Sequence, residues 1–136
     1  MLYPINEIAV LTSTLLALAV GSIWYSPIMF GNIWARTTDL SPTEPFPPRA
    51  LVVRLVFLTS LVNLIAIFVL AELVEVARVH NFSMWILASL LLLYVVAQLL
   101  HIVIWEQKPL SYVGIHFGYS CIVVYGAMAV IAWWPW

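Results

Sequence analysis

The chain has 136 residues, 65% of them hydrophobic and 8% charged, with a mean hydropathy of +1.07 and a formal net charge of -1. A soluble domain carries about 25% charged residues, so this composition excludes one: almost no polar surface would be left to cover its core. The charge balance provides no basic footprint for nucleic acid, and a single cysteine, Cys121, excludes an intrachain disulfide.

Taken in order, the chain begins with a short tail and then an apolar run, the first span, near 8–25. No basic region precedes it, so it is expected to be a retained span and not a signal peptide. Ser13, Ala17 and Gly21 recur every fourth residue along it, a small-residue ladder that lets a second helix approach closely. The run exits through Trp24 and Tyr25, whose amphipathic rings suit the headgroup level. Ser26-Pro27 reads as a helix start, with serine as N-cap and proline at the first helical position. A short interfacial helix is therefore expected over 27–35, offering Phe30, Gly31 and Trp34 to the bilayer surface or the bundle.

Residues 36–49 form the one extended loop, stiffened by Pro42, Pro45, Pro47 and Pro48. Spans two, three and four follow near 50–73, 84–105 and 110–133, each about the 20 residues needed to cross a hydrocarbon core. All eight prolines fall outside the spans and all seven tryptophans fall near span ends or in the interfacial segment. The expected fold is thus all-α, a single domain built as a four-transmembrane-helix bundle with a short interfacial helix after span one. Glu72, Glu75 and Arg78 close the far end of span two and read as a solvated face. Arg36, Arg49, Arg54 and Lys108 lie on the side of the first and third loops, against Arg78 alone on the other. The positive-inside bias then places both termini outside and the proline-rich loop in the cytoplasm.

Polar residues inside spans are the candidate functional groups, because each is expensive to leave facing lipid. Tyr94, Gln98, His101 and Trp105 fall at helical spacing on one stripe of span three. On span four Tyr112, His116, Tyr119 and Ser120 share one broad face, and Gly114, Gly118 and Cys121 the opposite one. Thr59, Ser60 and Asn63 cluster near the middle of span two. Spans three and four must form an antiparallel hairpin, with His101 and His116 at similar depths. No cofactor is expected, the imidazoles being read as hydrogen-bonded packing groups. The alternative is a pair of ligands for haem, a metal or chlorophyll. Gly114 and Gly118 are a small-residue helix contact, used either within the chain or for a homodimer.

No phosphate loop, nucleophile elbow or zinc-type spacing occurs, and no Asp, Glu, Lys or Arg lies near the middle of any span. Proton- and ion-coupled transporters usually need such a group, which argues against a small multidrug-type antiporter of this size. A non-catalytic protein is expected, acting as an accessory or scaffolding subunit among other transmembrane subunits. The alternative is a small dimeric transport or ligand-binding protein using the stripe of spans three and four.

The stretch Gly-Ser-Ile-Trp-Tyr-Ser-Pro-Ile-Met-Phe-Gly-Asn-Ile-Trp over residues 21–34 resembles the signature of the small membrane proteins grouped as domain of unknown function 1761, common in bacteria. Gly118-Tyr119, Gly126 and Trp133 are similar to that family's last helix. The resemblance implies four spans in a bacterial cytoplasmic membrane. It brings no activity, cofactor or catalytic residue with it.

Overall fold

The computed structural model describes residues 4–37 and 49–135. Among these, five helices and no strand occur: α1 (Glu7–Trp24), α2 (Gly31–Thr37), α3 (Arg49–Val79), α4 (Met84–Glu106) and α5 (Leu110–Trp133). All but α2 are long and apolar enough to cross a membrane. The fold is therefore all-α, with four span-like helices and one short helix after the first. Residues 38–48 of the proline-rich loop, and Trp136, lie outside the described residues.

Local chemistry sets the helix ends. The Asn6 side chain accepts from the Ala9 amide at 3.0 Å and caps the start of α1, satisfying one of the donors that a helix N-terminus leaves open. α4 stops where Gln107 enters the left-handed region at φ 55°, and Pro109 then flanks the start of α5. Asn81, at φ 53°, makes the corresponding turn between α3 and α4; asparagine is among the residues that tolerate that region best. α3 is longer than the span expected over 50–73. Its 31 residues extend about 46 Å at the α-helical rise, well beyond a hydrocarbon core of about 30 Å.

Packing is uneven along the bundle axis. At the end holding the start of α1, the close of α3, the start of α4 and the close of α5, small and branched residues interlock: Ala9, Ala71 and Ala88 are fully buried, beside Ile67, Val74, Met128 and Ile131. Alanine at these contacts lets helix axes approach closely, which maximises dispersion contacts where no hydrophobic driving force separates protein from lipid. The Ser89 and Tyr125 hydroxyls, 2.9 Å apart, tie α4 to α5 at this end. The opposite end is splayed. Residues 50–59 of α3 are exposed, so the first three turns of the longest helix stand away from the others.

One expectation fails at the closed end. Glu75 is buried at 7% exposure and is no part of a solvated face. Arg78 donates to its carboxylate at 2.7 Å and to the Ala132 carbonyl of α5 at 3.3 Å. The arginine thereby ties the last turn of α3 to a carbonyl that the C-terminus of α5 leaves without an intrahelical donor. Glu72 is half-buried and its Oε2 is enclosed without a hydrogen-bond partner.

Candidate functional site

The segment after α1 is built by backbone hydrogen bonds rather than by the expected cap. The Tyr25 amide donates to the Gly21 carbonyl at 3.0 Å, closing α1. The Phe30 amide then reaches back to Trp24 at 3.0 Å, and the Gly31 amide to Ser26 at 2.9 Å. This doubled-back turn leaves no room at Gly31: an added Cβ would strike the Tyr25 carbonyl oxygen and lie 2.6 Å from the Ser26 carbonyl carbon. The short helix accordingly begins at Gly31 and not at Pro27. Ser26 does not cap it, because its hydroxyl donates backwards to Ile23 at 2.7 Å.

That turn directs two aromatic side chains onto α5. The Trp24 indole donates to the Ile115 carbonyl at 3.0 Å, packs at a tilt of 46° against Phe30 with ring centroids 4.5 Å apart, and lies against Gly118, where a Cβ would sit 2.9 Å from the indole ring. The Tyr25 hydroxyl meets His116 Nδ1 at 3.0 Å. Its ring lies 5.4 Å from Tyr119 and 5.7 Å from Trp34, both edge-on, an arrangement that suits the quadrupoles of paired rings. Tyr112 covers the other side of His116 at 4.3 Å. Tyr119 in turn crosses to α1, donating to the Ala17 carbonyl at 3.2 Å over the bare face of Gly21.

Between this aromatic cluster and the splayed half of α3 lies a groove of about 770 Å³, open on one side. Its walls are Leu18, Gly21, Ser22 and Tyr25 of α1 and the turn after it, Trp34 of α2, Val52, Leu55, Val56, Thr59 and Asn63 of α3, and His116 and Tyr119 of α5. The volume falls within the range of about 300–1,000 Å³ typical of small-molecule sites. One polar atom beside it is uncommitted: His116 Nε2 is buried and has no hydrogen-bond partner. When Tyr25 donates to Nδ1, the imidazole proton resides on Nε2, and the ring offers a donor with no acceptor.

The structure distributes the sequence candidates unequally. Asn63, His116 and Tyr119 converge on the groove, together with Thr59, Tyr25 and Trp34 of the interfacial motif. Tyr94, Gln98 and His101 do not: all three are exposed on the outer face of α4, where His101 lies 6.1 Å from the Trp105 ring. The two histidines therefore face different surroundings and do not form a pair. No group of three or more His, Cys, Asp or Glu side chains able to hold a metal occurs among the described residues. Ser13 and Ala17 are buried in the ladder, which packs α1 on α5. Gly118 contacts an indole rather than a helix backbone, and nothing lies within 4 Å of the position a Cβ would take at Gly114. The two glycines thus do not act as one contact within the chain. Pro27 is exposed in the turn, and Ser60 donates to the Val56 carbonyl of its own helix at 2.7 Å.

Sequence reasoning missed the joining of Tyr25 to His116 and of Trp24 to Ile115, each 91 residues apart. The available signal was a glycine on span four able to receive a large ring from the interface. No curated protein and no solved structure matches the chain. A family model, however, matches residues 8–132, covering all four long helices and the turn that places Trp24 and Tyr25 on α5. The chain belongs to the family described as "Protein of unknown function (DUF1761)".

Proposed function

We propose that this is an integral membrane protein that binds a bilayer-dissolved amphiphile in the lateral groove between α1, α3 and α5, without catalysis of its own. The observation carrying this reading is the juxtaposition in one open groove of an aliphatic wall on α3 with a polar end at Tyr25, His116 and Tyr119. A membrane ligand needs that pairing, an apolar strip for its tail and a few placed polar groups for its head. The excess of Lys and Arg in the loops at the groove's end supports placing it in the cytoplasmic half of the membrane, with both termini outside.

The test uses the full chain in nanodiscs containing a lipid with a photoactivatable diazirine in its tail, with labelled residues mapped by mass spectrometry. Val56→Trp fills the groove from the α3 side. Labelling should concentrate on groove residues and fall in the Val56→Trp variant. Labelling spread evenly over the exposed faces of α3 and α4, indifferent to that substitution, would refute the reading.

A second reading is favoured by a separate observation, the exposure of Gln98 and His101 on α4. Amide and imidazole groups facing lipid are costly, and a partner helix would satisfy them. On this reading the protein is an accessory subunit of a larger membrane assembly, or a homodimer joined through α4. Purification in mild detergent distinguishes the two readings. A stoichiometric partner or a dimer that dissociates on Gln98→Leu supports the second, and an undisturbed monomer opposes it.

A further inference from the structure

Resting on the second reading above, we propose that the partner on α4 is a second copy of this chain, packed through the stripe Tyr94, Gln98, His101 and Trp105. Depth provides the first argument. α4 runs 23 residues from Met84 to Glu106, about 34 Å at the α-helical rise. Gln98 lies eight residues before Glu106, which sets it about 12 Å inside that end of the helix, and Tyr94 lies nearer still to the middle. Tyr94 is 65% exposed, and Gln98 and His101 are exposed as well. Among the described residues none gives these three side chains a hydrogen bond. Hydrocarbon offers neither donor nor acceptor at that depth, and a glutamine side chain is too short to reach the headgroups from it. These groups call for a helix that brings polar atoms of its own.

The chemistry of the stripe favours a copy of itself. Bringing two identical faces together sets each group against its like. That repels where the group is charged, and leaves it unpaired where it only donates or only accepts. The stripe carries no charge, since the one charged residue of α4 is Glu106 at its close. A tyrosine hydroxyl, a neutral imidazole and a carboxamide each hold both a donor and an acceptor, so every polar group here can bond to its own counterpart. The spacing supports the same arrangement: residues 94, 98, 101 and 105 follow the alternating steps of four and three of a seam between parallel helices. Copies inserted with one orientation are related by a twofold axis along the membrane normal, which puts equal residues at equal depth. Gln98 then meets the partner's Gln98 across that axis, a polar position of the kind that fixes register and pairing in two-stranded coils. Ala97 is exposed beside it and adds no bulk to hold the helices apart. Trp105, 76% exposed, closes the seam with a large ring.

The experiment uses the full chain in isolated membranes, with Cys121→Ser as background and oxidative cross-linking of single introduced cysteines. Trp105→Cys should form a disulfide-linked dimer. Leu100→Cys, exposed on the same helix but about 140° around it from Trp105, should not. Adding Gln98→Leu to the Trp105→Cys chain should weaken dimerisation about tenfold on dilution with lipid, the loss of two interhelical hydrogen bonds. Gln98→Asn keeps a donor and an acceptor and should weaken it less. Equal cross-linking at both positions, or cross-linking indifferent to Gln98→Leu, would overturn the inference. So would Trp105→Cys joined to a different protein, an outcome that leaves the accessory reading standing. A chain that stays monomeric and joins to nothing would overturn both.

Discussion

The indole nitrogen of Trp24 donates to the carbonyl oxygen of Ile115 at 3.0 Å, fastening the exit of the first long helix to the middle of the first half of the last one. Beside it the Tyr25 hydroxyl meets His116 Nδ1 at the same distance. These adjacent residues make two separate polar attachments to one helix. Because Trp24 also rests on Gly118, the fit depends on a missing side chain as much as on a present one.

The two glycines of α5 should consequently behave in opposite ways. Gly118→Leu must displace the Trp24 ring and is expected to destabilise by about 1–3 kcal/mol, the usual cost of overpacking. Gly114→Ala meets nothing and should be neutral or stabilising by up to about 1 kcal/mol through helix propensity. Thermal unfolding followed by size-exclusion chromatography in detergent would rank them. Equal losses at both positions would show that Gly114 is covered by a partner helix.

Gly31→Ala should be more damaging than its small size suggests. Its Cβ would meet backbone atoms of Tyr25 and Ser26, not the end of a flexible side chain, so the turn itself must open. The expected readouts are a lowered melting temperature and faster proteolysis between α1 and α3. An unchanged melting temperature would mean that the turn is looser than the hydrogen bonds from Phe30 and Gly31 imply.

Tyr25→Phe keeps the ring contacts and removes only the hydroxyl that faces His116. It leaves Nδ1 without that partner beside an already unpartnered Nε2. A cost of about 1–3 kcal/mol is expected for a buried polar group stripped of its hydrogen bond. His116→Leu in the Tyr25→Phe background should recover part of it, since removing both partners is cheaper than removing one. Additive losses in that double mutant would contradict the pairing.

At the closed end, Arg78→Met should loosen the junction of α3 with α5. The arginine side chain is 42% exposed and solvent weakens its ion pair, so a loss of about 1 kcal/mol is expected, the upper end for surface pairs. Glu75→Leu should cost no more than this, because it removes the buried carboxylate along with the pair. A much larger loss at Glu75 would point to a role beyond holding Arg78.

Much of the fold was legible because the membrane simplifies the problem. A run of about 20 apolar residues between turn signals has few alternatives to a spanning helix, and the spans read from Ile8, Ala50, Met84 and Leu110 lie along the long helices observed. The end of α3 was harder: Glu72 and Glu75 look like a solvated terminus, and the Arg78 contact with the Ala132 carbonyl of another helix, beside its pair with Glu75, is not legible in the spacing. The candidate site was half legible. Asn63, His116 and Tyr119 stood out as polar groups in apolar helices, whereas their common destination did not. Helical spacing tells which residues of one helix share a face, but says nothing about how that face is rotated toward its neighbours. For that reason Tyr94, Gln98 and His101, as conspicuous in the sequence as His116, turn out to point away from the groove.

The unequal packing along α3 makes that helix a lever. Its fixed part, around Ala71 and Val74, is locked among small residues, while Val52 stands in the splayed half, 19 positions earlier in the chain. At the α-helical rise that separation is about 28 Å, so a pivot of about 5° at Ala71 carries Val52 through about 2.5 Å. Ile67 and Leu70 lie within the moving part and resist a pivot at Ala71, whereas the exposed turns over residues 50–59 touch little. A bend confined to those exposed turns therefore changes the width of the groove between α3 and α5 while the core stays in place.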